Sequence, residues 1–383
     1  MIKLKLAAGL VAAAFTGVLL AVSAGAAQLT DIDGHWSEQY VEYGVEHGYI
    51  NGYPDGSFKP DGAVTRAEFA TMLNSAVGIT QKAEISFFDV EENDWFYPEI
   101  QKAVYAGYVA GYEDGSFLAQ NNITRQEAAV ILSRIATRAT TQKSLDGFND
   151  ADKIADWAKD AFEFAYSKSY ISGDDLGNLL PTSSLTRSQA AKIIYMLVES
   201  ENIYNGDYTI SLDDAVCSET IFTDNVIFSS DAKDAKLSLD GCRVLGTLNI
   251  KTVPGASVTI EDSTVSLLEV NGAEPVIDLT QGAQVKYTVL EYPATLSGTG
   301  YGSVYLNGDD LISGTVYIND PVEKVVVSAS AIIRANEISQ FNITDKTTVT
   351  LQTGNVENMS VLSGSAGSVI TLASNVAVEN LSV

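Results

Sequence analysis

Histidine is nearly missing from this chain of 383 residues: the two present, His35 and His47, both lie in the first fifty positions. Everything after His47 therefore lacks the base of a Ser-His-Asp triad and any histidine-based metal site. Cysteine also occurs twice, at Cys217 and Cys242, with no Cys-x-x-Cys spacing. An exported chain permits a disulfide between them, and a pair of buried free thiols fits the sequence equally well. Basic residues are scarce, with 23 Lys and Arg against 49 Asp and Glu and a net charge of −26. Such bulk acidity argues against nucleic acid or an anionic membrane surface as a partner. No Gly-rich phosphate loop and no EF-hand pattern occurs, and Asp31-Ile-Asp33-Gly34 and Asp309-Asp310 read as turn acids. No cofactor and no metal is implied.

Tryptophan is rare too, but its three copies are placed with purpose. Trp36, Trp95 and Trp157 each precede an arginine, Arg66, Arg125 and Arg187, by thirty residues. Between them run Gly48-Tyr-Ile-Asn-Gly52-Tyr53-Pro-Asp-Gly-Ser-Phe58 and Gly107-Tyr-Val-Ala-Gly111-Tyr112-Glu-Asp-Gly-Ser-Phe117. A third, altered copy reads Tyr170-Ile-Ser-Gly173-Asp174-Asp-Leu-Gly-Asn178-Leu179. A repeat at a fixed period sets the architecture before any other feature.

Each repeat reads as helix, turn-rich loop, helix. After Trp36 the residues Tyr40, Val41, Gly44 and Val45 fall on one helical face, with Gly48 at the C-cap. Tyr53-Pro-Asp-Gly56 is turn chemistry. Thr65-x-x-Glu68, Thr124-x-x-Glu127 and Thr186-x-x-Gln189 are capping boxes that open the second helices. The arginine after each threonine stands at the positive end of a helix dipole, where a cation is mildly disfavoured. Two readings follow. The arginine, with free N–H groups of the helix N-terminus, receives an external anion; or it pairs internally, with Asp31, Asp89 or Asp150. The tryptophans are likewise open between a core or rim role and a stacking face for a sugar ring.

The motif set, Asp-x…Trp, Gly-Tyr-x-Asp-Gly-Ser-Phe and Thr-Arg-x-Glu three times over residues 28–200, resembles the S-layer homology (SLH) domain family. The resemblance implies three helical repeats in a pseudo-threefold unit with ligand grooves between neighbours. The implied ligand is an anionic secondary cell-wall polysaccharide, typically pyruvylated. Arg66, Arg125 and Arg187 would meet the carboxylate, Trp36, Trp95 and Trp157 the sugar, and Gly52, Gly111 and Gly173 would let the backbone approach. The altered loop of the third copy weakens the expectation for its site.

Around these repeats, residues 1–26 read as a secretory signal peptide: Lys3 and Lys5, an apolar run from Leu6 to Val22, then Ala24-Gly-Ala26. No later run is long enough to span a membrane, so none is expected in the mature chain. Expected domains are SLH repeats over 28–75, 86–136 and 146–198, with linkers at Ser75–Ala83 and Thr137–Ser144, and an all-β domain over 205–383. In the last, short Val/Ile/Thr runs recur about every 9–10 residues. They fit a β-solenoid, expected to be right-handed with about seven or more turns, or a β-sandwich; the scarcity of two-residue Asn-Gly or Asp-Gly turns favours the solenoid. The whole is an α+β multidomain chain, secreted and held at the cell surface as a non-catalytic, structural or adhesive protein. Other surface proteins are candidate partners of the β domain. The competing expectation is a glycan-active lyase or hydrolase on a β-helix, using Asp309, Asp310, Lys286, Lys324 and Arg334.

Overall fold

The structure, a computed structural model, describes residues 2–3, 29–139 and 141–383. Apart from Ile2 and Lys3, the expected signal peptide lies outside the described residues. Among the described residues no helix is long and apolar enough to cross a membrane. Two compact units divide between Asn205 and Gly206.

The first unit holds six helices, two per repeat: α1 Glu38–Glu46, α2 Arg66–Val77, α3 Tyr97–Tyr105, α4 Arg125–Ile135, α5 Lys159–Ser167 and α6 Arg187–Ser200. The expected linker at Ser75 starts later, because α2 runs to Val77 and ends on left-handed Gly78. All three capping boxes form, with Thr65, Thr124 and Thr186 accepting from the N–H three residues on.

The three repeats are tied at their centre by a closed ring of backbone hydrogen bonds. Val64 N–H donates to Leu185 at 2.9 Å, Leu185 to Ile123 at 2.8 Å, and Ile123 back to Val64 at 3.0 Å. All three side chains are fully buried. A wider ring surrounds it: the N–H groups of Arg66, Arg125 and Arg187 donate to the carbonyls of Asn121, Ser183 and Gly62. The following N–H groups, of Ala67, Gln126 and Ser188, donate to Ala119, Pro181 and Pro60. A helix start leaves four N–H groups without intrahelical partners; here neighbouring repeats and the threonine caps take up those of α2, α4 and α6. The expected anion seat on free N–H groups at these helix starts is therefore absent.

Asp31, Asp89 and Asp150 perform a second repeated task. Each carboxylate accepts from two successive N–H groups of its own repeat: Phe58 and Lys59, Phe117 and Leu118, Leu179 and Leu180. The second residue of each pair is left-handed, with φ of 57°, 57° and 53°. Two charge-assisted bonds from one carboxylate offset that strain.

The second unit, from Gly206 onward, is a parallel β-solenoid of about nine turns. Every registered strand pair in it is parallel, with partners 16 to 22 residues apart, as in Val285 beside Tyr301 and Val216 beside Ser238. This excludes the sandwich, whose hairpins are antiparallel. One face stacks strands such as Lys236–Asp240, Ser257–Glu261 and Val276–Thr280, the other Arg243–Ile250, Thr264–Val270 and Gln284–Leu290. Inward residues form ladders: Phe228, Ile250, Val270, Leu290, Leu306, Val327 and Ile343 follow one another in register, all fully buried. Each such side chain contributes about 1.5–3 kcal/mol by burial. Cys217 and Cys242 are buried free thiols, with Cys242 Sγ donating to the Cys217 carbonyl at 3.3 Å. Burial pushes Cys217 up to about 12 and Cys242 to about 11.

One ladder carries a polar rung. Leu248, Leu268, Thr288, Val304 and Val325 stack inward, and the fully buried Thr288 hydroxyl has no hydrogen-bond partner among the described residues. Thr288→Val keeps the shape and removes a desolvated hydroxyl, so stability in urea should rise by about 1–2 kcal/mol. A lower midpoint for the variant would refute this. In the first unit, Lys168 lies 2.6 Å from the buried Glu201, which also accepts from Thr137 and Tyr170. Lys168→Met strands that carboxylate and should cost about 3 kcal/mol, read from the same denaturation curves.

Candidate functional site

Two clefts of the first unit gather the repeated residues, and each draws on all three repeats. One, of about 360 Å³, is lined by Arg66 of the first repeat, Gly111 and Tyr112 of the second, and Trp157 of the third. The other, of about 580 Å³, is lined by Trp36 of the first repeat, Arg125 of the second, and Gly173, Asp174 and Asn178 of the third. The altered loop of the third repeat thus faces Arg125, not Arg187. Arg187 reaches Asn51 and Phe58 of the first repeat.

The tryptophans are surface residues: Trp36, Trp95 and Trp157 are 52, 57 and 62% exposed. The core reading of these positions is excluded. Gly111 and Gly173 line the two clefts, and all three repeated glycines, Gly52 included, also have an internal reason. A Cβ at each would lie 2.2–2.3 Å from the side chain of Leu29, Phe87 or Phe148.

The arginines are buried, and their internal partners are not the aspartates. Arg66 Nε donates to the Phe117 carbonyl at 3.1 Å, Arg125 Nε to Leu179 at 2.8 Å, and Arg187 Nε to Phe58 at 2.7 Å. Each guanidinium therefore braces the left-handed loop of the next repeat. Beyond that bond the three diverge. Arg66 pairs with Glu127 at 3.1 Å and Arg187 with Glu68 at 3.2 Å. These are the capping-box carboxylates, whose two oxygens divide the work. In Glu68, Oε2 accepts from the Thr65 N–H while Oε1 accepts from Tyr53 and Arg187. In Glu127, Oε2 accepts from Thr124 while Oε1 accepts from Tyr112 and Arg66. Both guanidinium groups also lie over two rings, Arg66 against Tyr112 and Phe117, and Arg187 against Tyr53 and Phe58.

Arg125 has neither. The third capping box carries Gln189 where the others carry glutamate, and Asp174 stands in the tyrosine position. Arg125 donates to two carbonyls, Leu179 and Ser172, and forms no ion pair among the described residues. Burial depresses its pKa, opposed by the fields of Asp150 and Asp174. Asp174 is turned into its own loop, accepting from the Leu176 and Asn178 N–H groups and the Asn178 side chain. Lys192 of α6 lines the same cleft. Sequence reasoning missed both the Arg–Glu pairings and Lys192; the Glu-to-Gln change at 189 was the visible signal.

Of the residues suggested for a glycan-active centre on the solenoid, Arg334 and Lys324 lie on different faces. Arg334 lies beside Tyr317 on one face and bonds Gln352, while Lys324 lies beside Ser303 on the other. Among the described residues no group of three His, Cys, Asp or Glu side chains could hold a metal ion.

Burial pushes the Glu127 carboxyl up, but bonds from Thr124 and Tyr112 and the Arg66 charge outweigh it and hold it below the ordinary range. Its contribution is present above the unfolded value, near ~4.3, and is lost as pH falls through the lower folded value. Glu127→Gln should therefore lower stability at neutral pH and flatten its decline below about pH 5. Parallel stability–pH curves for the two proteins would contradict this.

Comparison with known proteins agrees with this geometry. Residues 28–70, 86–129 and 147–191 match the S-layer homology domain. The Surface-layer 125 kDa protein of Lysinibacillus sphaericus is 32% identical over 234 residues, 59% of this chain and 19% of its own length. The exoglucanase XynX of Acetivibrio thermocellus is 33% identical over 178 residues, 45% of this chain and 16% of its own. The cellulosome-anchoring protein of the same organism is 34% identical over 145 residues, 36% and 32% respectively. The chain thus spans between 16 and 32% of these relatives. The ring-closed unit of three repeats, each with its exposed tryptophan and its capping-box arginine, is a tandem of three S-layer homology domains.

Proposed function

We propose that residues 28–200 hold the chain to the cell wall by binding an acidic, pyruvylated secondary wall polysaccharide, and that the β-solenoid is displayed from there in a non-catalytic, structural or adhesive role. The chain is a secreted, wall-associated protein of the cell surface, and S-layer homology domains anchor proteins to the wall. The observation that carries the finer reading is the composition of each cleft: an exposed tryptophan from one repeat facing a buried arginine from another. An indole face suits the C–H side of a sugar ring, and a guanidinium fork suits a carboxylate. In a chain of net charge −26, only such local cations can receive an acidic glycan. The names of the relatives, a surface-layer protein and a cellulosome-anchoring protein, support the same role.

The test is co-sedimentation of the full chain with purified walls, before and after mild acid removal of the ketal. Binding should fall at least tenfold on ketal removal. Because all three tryptophans are exposed, Trp36→Ala, Trp95→Ala and Trp157→Ala combined should leave the fold intact and reduce binding by a similar factor. Retention of the triple variant, or indifference to the ketal, would refute the assignment. The solenoid should release no reducing sugar from wall polysaccharide.

A further inference from the structure

We infer that the three pseudo-equivalent sites are not equivalent: the Arg125 cleft is the one high-affinity site, and it takes several sugars of an acidic glycan along an aromatic track. This rests on the wall-polysaccharide reading above and deepens it.

The first observation is that two of the three arginines are already neutralised from within. Arg66 holds Glu127 and Arg187 holds Glu68, each beneath a tyrosine hydroxyl that donates to the same carboxylate oxygen. A ligand carboxylate arriving at either would have to displace an internal one that is partly buried and also caps a helix. At Arg125 the place of that glutamate is taken by Gln189, which lines the cleft beside it. Its guanidinium is held in position by two carbonyls, which leave its charge uncompensated by contact. Lys192 adds a second cation to the wall of this cleft and has no ion pair among the described residues. The position five residues after the arginine is Thr71 in the first repeat and Val130 in the second; the Arg66 cleft has a second cation of its own, Arg134, which donates to the Tyr108 carbonyl at 3.3 Å, so the clefts differ in the pairing of their arginines and not in the number of cations. Asp174 and Asp175 also line it, but the Asp174 carboxylate is occupied by its own loop.

The second observation is independent of charge. Trp36, at the mouth of this cleft, begins a continuous strip of rings: Trp36 to Tyr40 at 6.3 Å, Tyr40 to Tyr195 at 5.1 Å, Tyr195 to Tyr43 at 4.9 Å, and Tyr43 stacked on His47 at 3.8 Å. The rings come from α1, the residues just before and after it, and α6, and none is buried. The matching positions after Trp95 are Glu99, Lys102 and Ala106, and after Trp157 they are Ala161, Phe164 and Lys168. The Arg66 cleft is lined by two exposed rings, Trp157 and Tyr112, whereas the strip that starts at Trp36 continues over five rings, and that length favours a chain over a single residue.

The test uses the full chain and two synthetic probes, a pyruvylated monosaccharide glycoside and a trisaccharide ending in that sugar, measured by calorimetric titration. The wild type should bind the trisaccharide at one site per chain. Gln189→Glu installs the missing carboxylate opposite Arg125, restores the pattern of the other two repeats, and should weaken both probes at least tenfold while the melting temperature holds or rises. Tyr40→Leu with Tyr195→Leu keeps apolar packing but removes the stacking faces. It should weaken the trisaccharide several-fold and leave the monosaccharide unchanged. Unaltered affinity in Gln189→Glu, or three equal sites in the wild type, would overturn the inference. A wild-type chain that ignored both probes would overturn the wall-polysaccharide reading beneath it.

Discussion

The anchoring unit depends on three backbone hydrogen bonds that join Val64, Ile123 and Leu185 head to tail. Each repeat gives one N–H and one carbonyl to this buried ring, so each is satisfied by both of its neighbours at once. Unpaired, each of those groups would be a desolvated backbone dipole costing roughly 1–3 kcal/mol. The pseudo-threefold arrangement is therefore a consequence of backbone satisfaction as much as of apolar packing. It also sets the composition of the clefts. Because the helix after each arginine starts against the next repeat's loop, no cleft can be assembled from a single repeat.

The same constraint explains the position of the arginines. At a helix start they face an unfavourable dipole, but the dipole's N–H groups are spent on neighbouring carbonyls. The side chain then reaches across the seam to the carbonyl of Phe58, Phe117 or Leu179. That carbonyl belongs to the peptide whose N–H partner is gripped by Asp31, Asp89 or Asp150. Aspartate, loop and arginine form one relay repeated three times, and the relay is structural in all three. What differs is whether the guanidinium has charge left over.

Much of this was legible in the sequence, for identifiable reasons. The Trp-to-Arg spacing, the capping boxes and the turn residues are local signals, and the helices formed where those signals placed them. The solenoid was legible because parallel stacking needs short β-branched runs and does not need tight hairpin turns. What was not legible depended on which residues meet across the seams, from 61 positions for Arg66 and Glu127 to 119 for Arg187 and Glu68. Glu68 and Glu127 read correctly as caps, but a cap uses one carboxylate oxygen, and the partner of the other is 119 residues away in the case of Arg187. Gln189 looked like a conservative member of the same motif, since glutamine caps as glutamate does. Only the fold shows that the lost charge belongs to a seam with Arg125. The internal role of the glycines was hidden for a related reason: the crowding at Gly111 comes from Phe87, which local pattern does not place there.

The ring also fixes an order of events. Its last member, Leu185, lies in the third repeat, and the bond from Arg187 to Phe58 spans 129 residues. In a chain that has emerged only as far as its second repeat, the seam is open and the Arg125 cleft is incomplete. The cleft comes into being only once Lys192 has joined it. Completion is thus all or none, set by topology alone: two repeats cannot make two thirds of the unit.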